Sequence, residues 1–251
     1  MLKSVFKLGI FMNIAVIFAG GSGQRMHTNG IPKQFLSVFG KPILVWTLEK
    51  FQNCMDIDQI VLVVIESYLK ETKTLMDKYN LSKVIDVVPG GKTGQESIFI
   101  GVKRAVELNQ DDGHIVLIHD GVRPFINDEL IHDCIESVRQ HGSAISVSPA
   151  IETVVKLDKD KQIQSIYDRS TCYNAKAPQC FYLTDLYNAH IKAIQDNKDD
   201  FIDSASLMKY YNYDLYTVLT NTDNIKITTS KDYYCMKALI QAHENMQILG
   251  L

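Results

Sequence analysis

Residues 15–35 read AVIFAGGSGQRMHTNGIPKQF, an apolar run that breaks into four glycines, an arginine and a lysine. Successive small residues leave backbone N–H groups bare enough to line an anion site. Arg25 adds a guanidinium suited to two-point contact with a phosphate. Two familiar glycine-loop patterns do not apply. A dinucleotide fingerprint needs glycine where Met26 stands, and a P-loop needs Gly-Lys-Ser/Thr at a spacing this segment lacks. Pro32 biases the residues before it toward extended backbone, a path that turns Lys33 back over the same phosphates. A plain glycine turn and a solvated lysine are the alternatives for each segment taken alone.

Three further stretches carry chemistry. GGKTGQES (90–97) is a second glycine loop, and HDGVRPF (119–125) sets Asp120 and Arg123 on one tight turn. A carboxylate there can hold Mg2+ while the arginine meets phosphate oxygens, or the two can brace the turn as an ion pair. His119 has no sequence partner for a catalytic triad and reads as structural. NTDNIKIT (221–228) ends in a strand-like IKIT that places Lys226 near a sheet edge or end. Asp203 in FIDSAS reads first as the cap of the helix that follows, and second as a substrate contact.

The elements that must position these loops show in the hydrophobic pattern. IAVIFA (14–19), IVLVVI (60–65), VIDVV (84–88), IVLI (115–118) and AISVS (144–148) are continuous apolar runs, as in strands buried on both faces of a parallel sheet. Helical patterns near 43–53, 67–79, 95–109 and 127–141 separate them. That rhythm predicts an α/β fold, Rossmann-like and doubly wound, with a mostly parallel sheet. It breaks at Pro149, where ETVVKLD (152–158) and QIQSIYD (162–168) flank a charged turn and read as a protruding β-hairpin. A two-stranded ribbon needs packing from elsewhere to be stable. Helices are expected again at 183–197, 204–212 and 231–247, with strands near 215–219 and 224–228. The reading is one domain over 13–251, with the arm at about 150–173 and residues 1–12 a dispensable extension. In such sheets ligands bind beyond the carboxyl ends of the strands, and three of the chemistry-bearing loops follow directly on predicted strands.

Composition narrows the class. At 46% apolar and 22% charged residues the chain is an ordinary soluble globular protein. A net charge of -3 speaks against a nucleic-acid binder, which carries a basic excess. No run reaches the length of a membrane span. The five cysteines form no C-x-x-C pair, so the expectation is free thiols in a reducing cytoplasm.

Taken together and in order, these segments resemble the polyol-phosphate cytidylyltransferases, the family of the D-ribitol 5-phosphate and 2-C-methyl-D-erythritol 4-phosphate enzymes. The resemblance runs from residue 13 to about 240. It rests on A-G-G-x-G-x-R-M (19–26), P-K-Q (32–34), G-G-x-x-x-x-E-S (90–97), H-D-x-x-R-P (119–124), E-T-V-V-K (152–156), D-R (168–169), P-Q-x-F (178–181) and D-N-I-K-I-T (223–228). It implies that Ala19, Gly20, Gly21, Gly23, Gly91 and Ser97 surround the cytidine of CTP. Arg25 and Lys33 would clamp the triphosphate, Asp120 would hold Mg2+ and the acceptor, and Lys226 would stabilise charge at the α-phosphate. The hairpin would be the dimerisation arm of a homodimer, carrying Thr153 and Arg169 to the polyol phosphate of the partner's site while Arg123 assists binding there.

The resemblance also implies a direct attack by the acceptor phosphate, with cations and Mg2+ offsetting repulsion between two anions. Gly-Val before Arg123, Ile151 and Ile202 lean toward ribitol 5-phosphate and a product used for teichoic acid or capsule. Gly94, Lys92 and Ala177 depart from both types. Methylerythritol phosphate or another alditol phosphate is the alternative acceptor. Two other classes compete: a glycosyltransferase, which would want an Asp-x-Asp metal site at a strand's carboxyl end, and a catalytically silent nucleotide binder.

Overall fold

The computed structural model describes residues 11–21 and 30–249. The expectations for Gly23, Arg25 and the first ten residues lie outside the described residues. In chain order the elements are β1 (Asn13–Ala19), a short pair β2 (Ser37–Val38) and β3 (Lys41–Pro42), α1 (Ile43–Asn53), β4 (Gln59–Val64), α2 (Leu69–Lys78), β5 (Val84–Pro89), α3 (Gly94–Leu108), β6 (Ile115–Asp120), α4 (Asp128–His141) and β7 (Ser143–Pro149). There follow β8 (Val155–Leu157), β9 (Ile163–Ile166), β10 (Tyr173–Tyr182), α5 (Leu183–Gln195), α6 (Ser204–Tyr210), β11 (Thr217–Leu219) and α7 (Ser230–Leu249).

Seven strands form the central sheet in the order β11-β7-β10-β6-β1-β4-β5. All pairings are parallel except those of β10 with β6 and β7. The expected doubly wound, mostly parallel α/β sheet is therefore what folds. Successive side chains of β1 point to opposite faces. Ala15 and Ile17 join the core under α1, α2 and α4, while Ile14 and Val16 join the core under α3, α5 and α6. Both faces are thus covered, which is why the strands read as continuous apolar runs. A third, smaller cluster packs α7 on the segment around Ile227 through Met236 and Ile240.

Two elements differ from expectation. β10 runs through YNAKAPQCFY, a stretch with a lysine and a proline where a central strand would not place them. The sheet accommodates it because pairing with β7 is irregular between Ala175 and Gln179. The segment 224–228 is no strand. Asn224 and Ile227, three residues apart, are buried and Lys226 faces the cleft described below. Among the described residues the segment's one backbone–backbone hydrogen bond to a neighbouring segment runs from Ile227 N–H to Val122 O (2.9 Å).

The hairpin is present and shorter than predicted: β8 and β9 pair only with each other. Among the described residues no helix is long and apolar enough to cross a membrane.

Gly101 sets how closely α3 lies on the sheet. A Cβ there would come within 2.4 Å of Val16 Cγ1 and 2.8 Å of Val63 Cγ2. Gly101→Val is expected to destabilise the fold by about 1–3 kcal/mol through overpacking, read as a lower denaturant midpoint. An unchanged midpoint would show that the helix can lift without cost.

Candidate active site

The carboxyl ends of β1, β5 and β6 lie on one edge of the sheet because these strands are parallel. Each delivers one of the loops singled out above. After β1, Ala19 and Gly20 lead to Gly21. The Gln34 amide donates to Ala19 O (2.5 Å) and Gly21 O (3.1 Å), fixing that backbone from behind. Gln34 is almost fully buried. It stands in the P-K-Q motif, where a glutamine beside a lysine carries no sequence signal of what it braces. Lys33, in the same short helical turn, is nine-tenths buried and lines the cleft.

After β5 the second glycine loop is held by α3. Thr93 caps the helix by accepting from Glu96 N (3.1 Å), and the Glu96 carboxylate accepts from Lys92 N (2.6 Å). This is a capping box shifted by one residue. Ser97 Oγ accepts from Gly91 N (3.1 Å) and donates to Thr93 O (2.9 Å). Ser97 and Gly91 both line the cleft, with the Ser97 hydroxyl spent on the shape of the loop.

After β6 come the charged residues. Asp120 Oδ1 lies 2.5 Å from Lys226 Nζ, and Oδ2 accepts from Arg123 Nε (3.3 Å). Arg123 Nη1 donates to Asn224 O (2.7 Å). The ion-pair reading of Asp120 and Arg123 and their place in the cleft thus hold together. Asn224 ties the far segment in place, donating from Nδ2 to Ala177 O (2.8 Å). His119 is structural as expected: fully buried, edge-on to Phe51, with Nε2 near Arg123 O (3.0 Å). Burial pushes its pKa down to about 4, so the ring is neutral.

Burial alone would raise the Asp120 pKa, but the Lys226 and Arg123 charges outweigh it and hold the carboxyl below its usual value of 3.8. At low pH the unfolded chain then takes up the proton more readily than the folded one. The stabilisation is complete above the ordinary aspartate value and is lost as pH falls through the depressed one. Asp120→Asn is therefore expected to flatten the loss of stability below about pH 4, measured by urea unfolding across that range. An unaltered slope would show that the carboxylate is not held in this way.

The cleft has two halves that meet at Asp120 and Lys226. One, about 480 Å³, is lined by both glycine loops and Lys33. The other, about 310 Å³, is lined by Arg123, Lys176, Gln179 and Asp203. Asp203 takes the capping role: Oδ1 accepts from Ser206 N (2.8 Å) and caps α6, while Oδ2 accepts from Gln179 Nε2 (2.9 Å) at the cleft wall. Among the described residues that line the two halves, the cations Lys33, Lys92, Arg123, Lys176 and Lys226 outnumber the carboxylates Asp120 and Asp203, in a chain whose net charge is -3. Neither the role of Lys176 nor that of Gln179 is legible in the sequence, because both lie on a strand whose pattern a lysine and a proline interrupt.

Thr153 and Arg169 are not brought to this cleft. Thr153 lines a separate recess at the base of the arm, and the exposed Arg169 donates to Ile151 O (3.1 Å). The Asp-x-Asp pairs that a glycosyltransferase would draw on, Asp56–Asp58 and Asp158–Asp160, are elsewhere too. Asp58 accepts from Asn13 N (2.7 Å) at the opposite edge of the sheet, and Asp158 closes the hairpin turn.

Room for an anionic nucleotide on one side of Asp120 and for an anionic acceptor on the other is the layout of a nucleotidyltransferase, and this is the class of enzyme to which the protein belongs. Within it, the chain is a member of the IspD family: the model of 2-C-methyl-D-erythritol 4-phosphate cytidylyltransferase matches residues 13–242. A ribitol-5-phosphate cytidylyltransferase of Streptococcus agalactiae serotype V is 50% identical over 240 residues, covering 96% of this chain and all of that protein. A 2-C-methyl-D-erythritol 4-phosphate cytidylyltransferase of Clostridium novyi is 38% identical over 221 residues, 88% of this chain and 93% of that one. Among solved structures, the 4-diphosphocytidyl-2C-methyl-D-erythritol synthase of Anaerococcus prevotii superposes with a TM-score of 0.79 at 28% identity, over 92% of this chain and 96% of that one.

Proposed function

We propose that this chain transfers the cytidylyl group of CTP to the phosphate of D-ribitol 5-phosphate, giving CDP-ribitol and pyrophosphate, with the cytoplasm as its compartment. The observation that carries the reading is the meeting of the two cationic half-clefts at Asp120 and Lys226. The higher identity to the ribitol-5-phosphate relative than to the methylerythritol one supports the acceptor.

The glycine-lined half takes CTP, with Lys33 on the triphosphate and Arg25 as its expected companion. An acceptor phosphate oxygen attacks the α-phosphorus. The new P–O bond forms as the bond from the α-phosphorus to the bridging oxygen breaks, and pyrophosphate leaves with that electron pair. A phosphomonoester oxygen is already anionic near neutral pH, so no base is required, consistent with a neutral, buried His119. Lys226 offsets the charge gathering between the two anions.

Among the described residues no three His, Cys, Asp or Glu side chains cluster for a metal. Mg2+ commonly binds through one or two carboxylates plus substrate phosphates and water. Asp120, facing both halves, fits that donor set with the triphosphate completing it. When bound, the ion would neutralise phosphate charge and polarise the α-phosphate.

The arm supports a homodimer with shared sites. Ile151, Ile163 and Ile166 are each at least 60% exposed on it, and a ribbon of two strands gains its stability from a covering surface. A second copy of the chain is the occupant we assign. Thr153 and Arg169 would then serve the partner's acceptor half.

The test is incubation with CTP, Mg2+ and a panel of ribitol 5-phosphate, arabinitol 5-phosphate and methylerythritol 4-phosphate, read as pyrophosphate release. Fastest release with ribitol 5-phosphate is expected. Preference for methylerythritol phosphate would favour the second reading, which the description of the matching family supports. CTP binding without release on any acceptor would mean a silent relative.

A further inference from the structure

The irregular stretch of β10 has a consequence for the acceptor half. Ala175 pairs with Val147 and Gln179 with Ile145, so Lys176, Ala177 and Pro178 stand opposite Ser146 alone. Bulges of this kind re-aim side chains and recur next to active sites. Two of its carbonyls are satisfied by side chains. Ala177 O accepts from Asn224 Nδ2 (2.8 Å), and Pro178 O accepts from the buried Ser146 Oγ (2.8 Å). The bulge is thus a fixed feature, and it delivers Lys176 to the wall of the acceptor half.

There Lys176 Nζ donates to Asn224 O (3.1 Å) and Thr222 O (3.3 Å). Asn224 O is also the acceptor for Arg123 Nη1. Two cations therefore converge on one carbonyl oxygen. Among the described residues no carboxylate lies within ion-pair distance of Lys176, and its third N–H meets no acceptor. Burial, and then the Arg123 charge, lower the Lys176 pKa from its usual value against the opposing pull of Asp223. Like charges held together at a partly buried wall are a common mark of a site built for an anion.

We propose that Lys176 binds the phosphate of the acceptor, forming with Arg123 a two-cation cradle that selects a polyol phosphomonoester. This rests on the acceptor half being the polyol-phosphate site. Lys176 would touch the substrate without altering how CTP is held, because it lies outside the glycine-lined half.

The experiment compares Lys176→Gln and Lys176→Arg with the wild type in the full chain. With CTP saturating, Lys176→Gln is expected to raise KM for ribitol 5-phosphate about 10- to 100-fold, the scale of one lost charge-assisted hydrogen bond. KM for CTP and kcat should stay within about twofold, and the arginine variant within about fivefold of wild type on every parameter. An acceptor KM unchanged in Lys176→Gln overturns the proposal. So does a fall in kcat with both KM values raised, because that pattern means Lys176 only props the 222–224 turn beneath Lys226. Should the wild type release no pyrophosphate with ribitol 5-phosphate, the acceptor reading fails separately. Equilibrium binding of inorganic phosphate then decides for Lys176: a loss of about tenfold or more in Lys176→Gln supports the cradle, and equal affinity removes it.

Discussion

Lys226→Met is expected to lower kcat about 100- to 1000-fold while CTP binding changes little, the usual cost of removing one preorganised group that meets developing charge. Lys226 stands where the halves of the cleft meet, with its ammonium 2.5 Å from Asp120 Oδ1. Charge gathers at that point only as the acceptor approaches and pyrophosphate departs. A group that acts mainly then raises kcat more than it tightens ground-state binding. Methionine keeps most of the stem, so packing changes are small. Arginine at 226 should recover part of the loss, since it restores charge with a different reach. A kcat within tenfold of wild type would show that Lys226 only neutralises Asp120.

The second large effect concerns the arm. Lys33→Ala and Arg169→Ala are each expected to lose about 100-fold or more in activity as homodimers. In the shared-site homodimer proposed above, one of the two sites in every mixed dimer has both groups intact, so chains carrying one change each should regain function on mixing. Random pairing makes half of all dimers mixed, so about one quarter of wild-type activity should return. No recovery after verified subunit exchange would mean that Arg169 does not cross to the partner's site. The geometry behind this expectation is that Lys33 is buried in the cleft while Arg169 is exposed on the arm of the same chain and reaches only Ile151 O.

The parts of the fold that were legible in the sequence are those where burial is repetitive. β1, β4, β6 and β7 are buried along nearly their whole length, and their runs of Ile, Val and Leu announce it. The edge strand β5 is partly exposed but carries the same kind of run. β10 was hidden because its signature is broken by Lys176 and Pro178, and both are tolerated only through an irregularity that depends on Ser146 and Asn224. Residues 224–228 gave the opposite error. Ile225 and Ile227 alternate like a strand, yet what orders them is packing against α7 and the side chain of Asn224, neither of which is a local signal.

The candidate site divides along the same line. Asp120, Arg123, Lys226, Lys33 and the glycines stand in short contiguous motifs, and chemistry could be read from each. Gln34 and Asn224 act by donating to backbone carbonyls of distant residues, and Lys176 by where a bulge aims it. Their roles exist only once the chain is folded.

That bulge also separates two demands on the molecule. Regular ladder positions cannot change without disturbing their neighbours, whereas residues 176–178 owe their shape to side-chain tethers. Of the three, Ala177 lines the acceptor half and lies outside the glycine-lined one, so a larger side chain there is expected to change which alditol fits while nucleotide recognition across the divide is kept. A designer wishing to redirect this protein to a new sugar alcohol would do well to begin with that position.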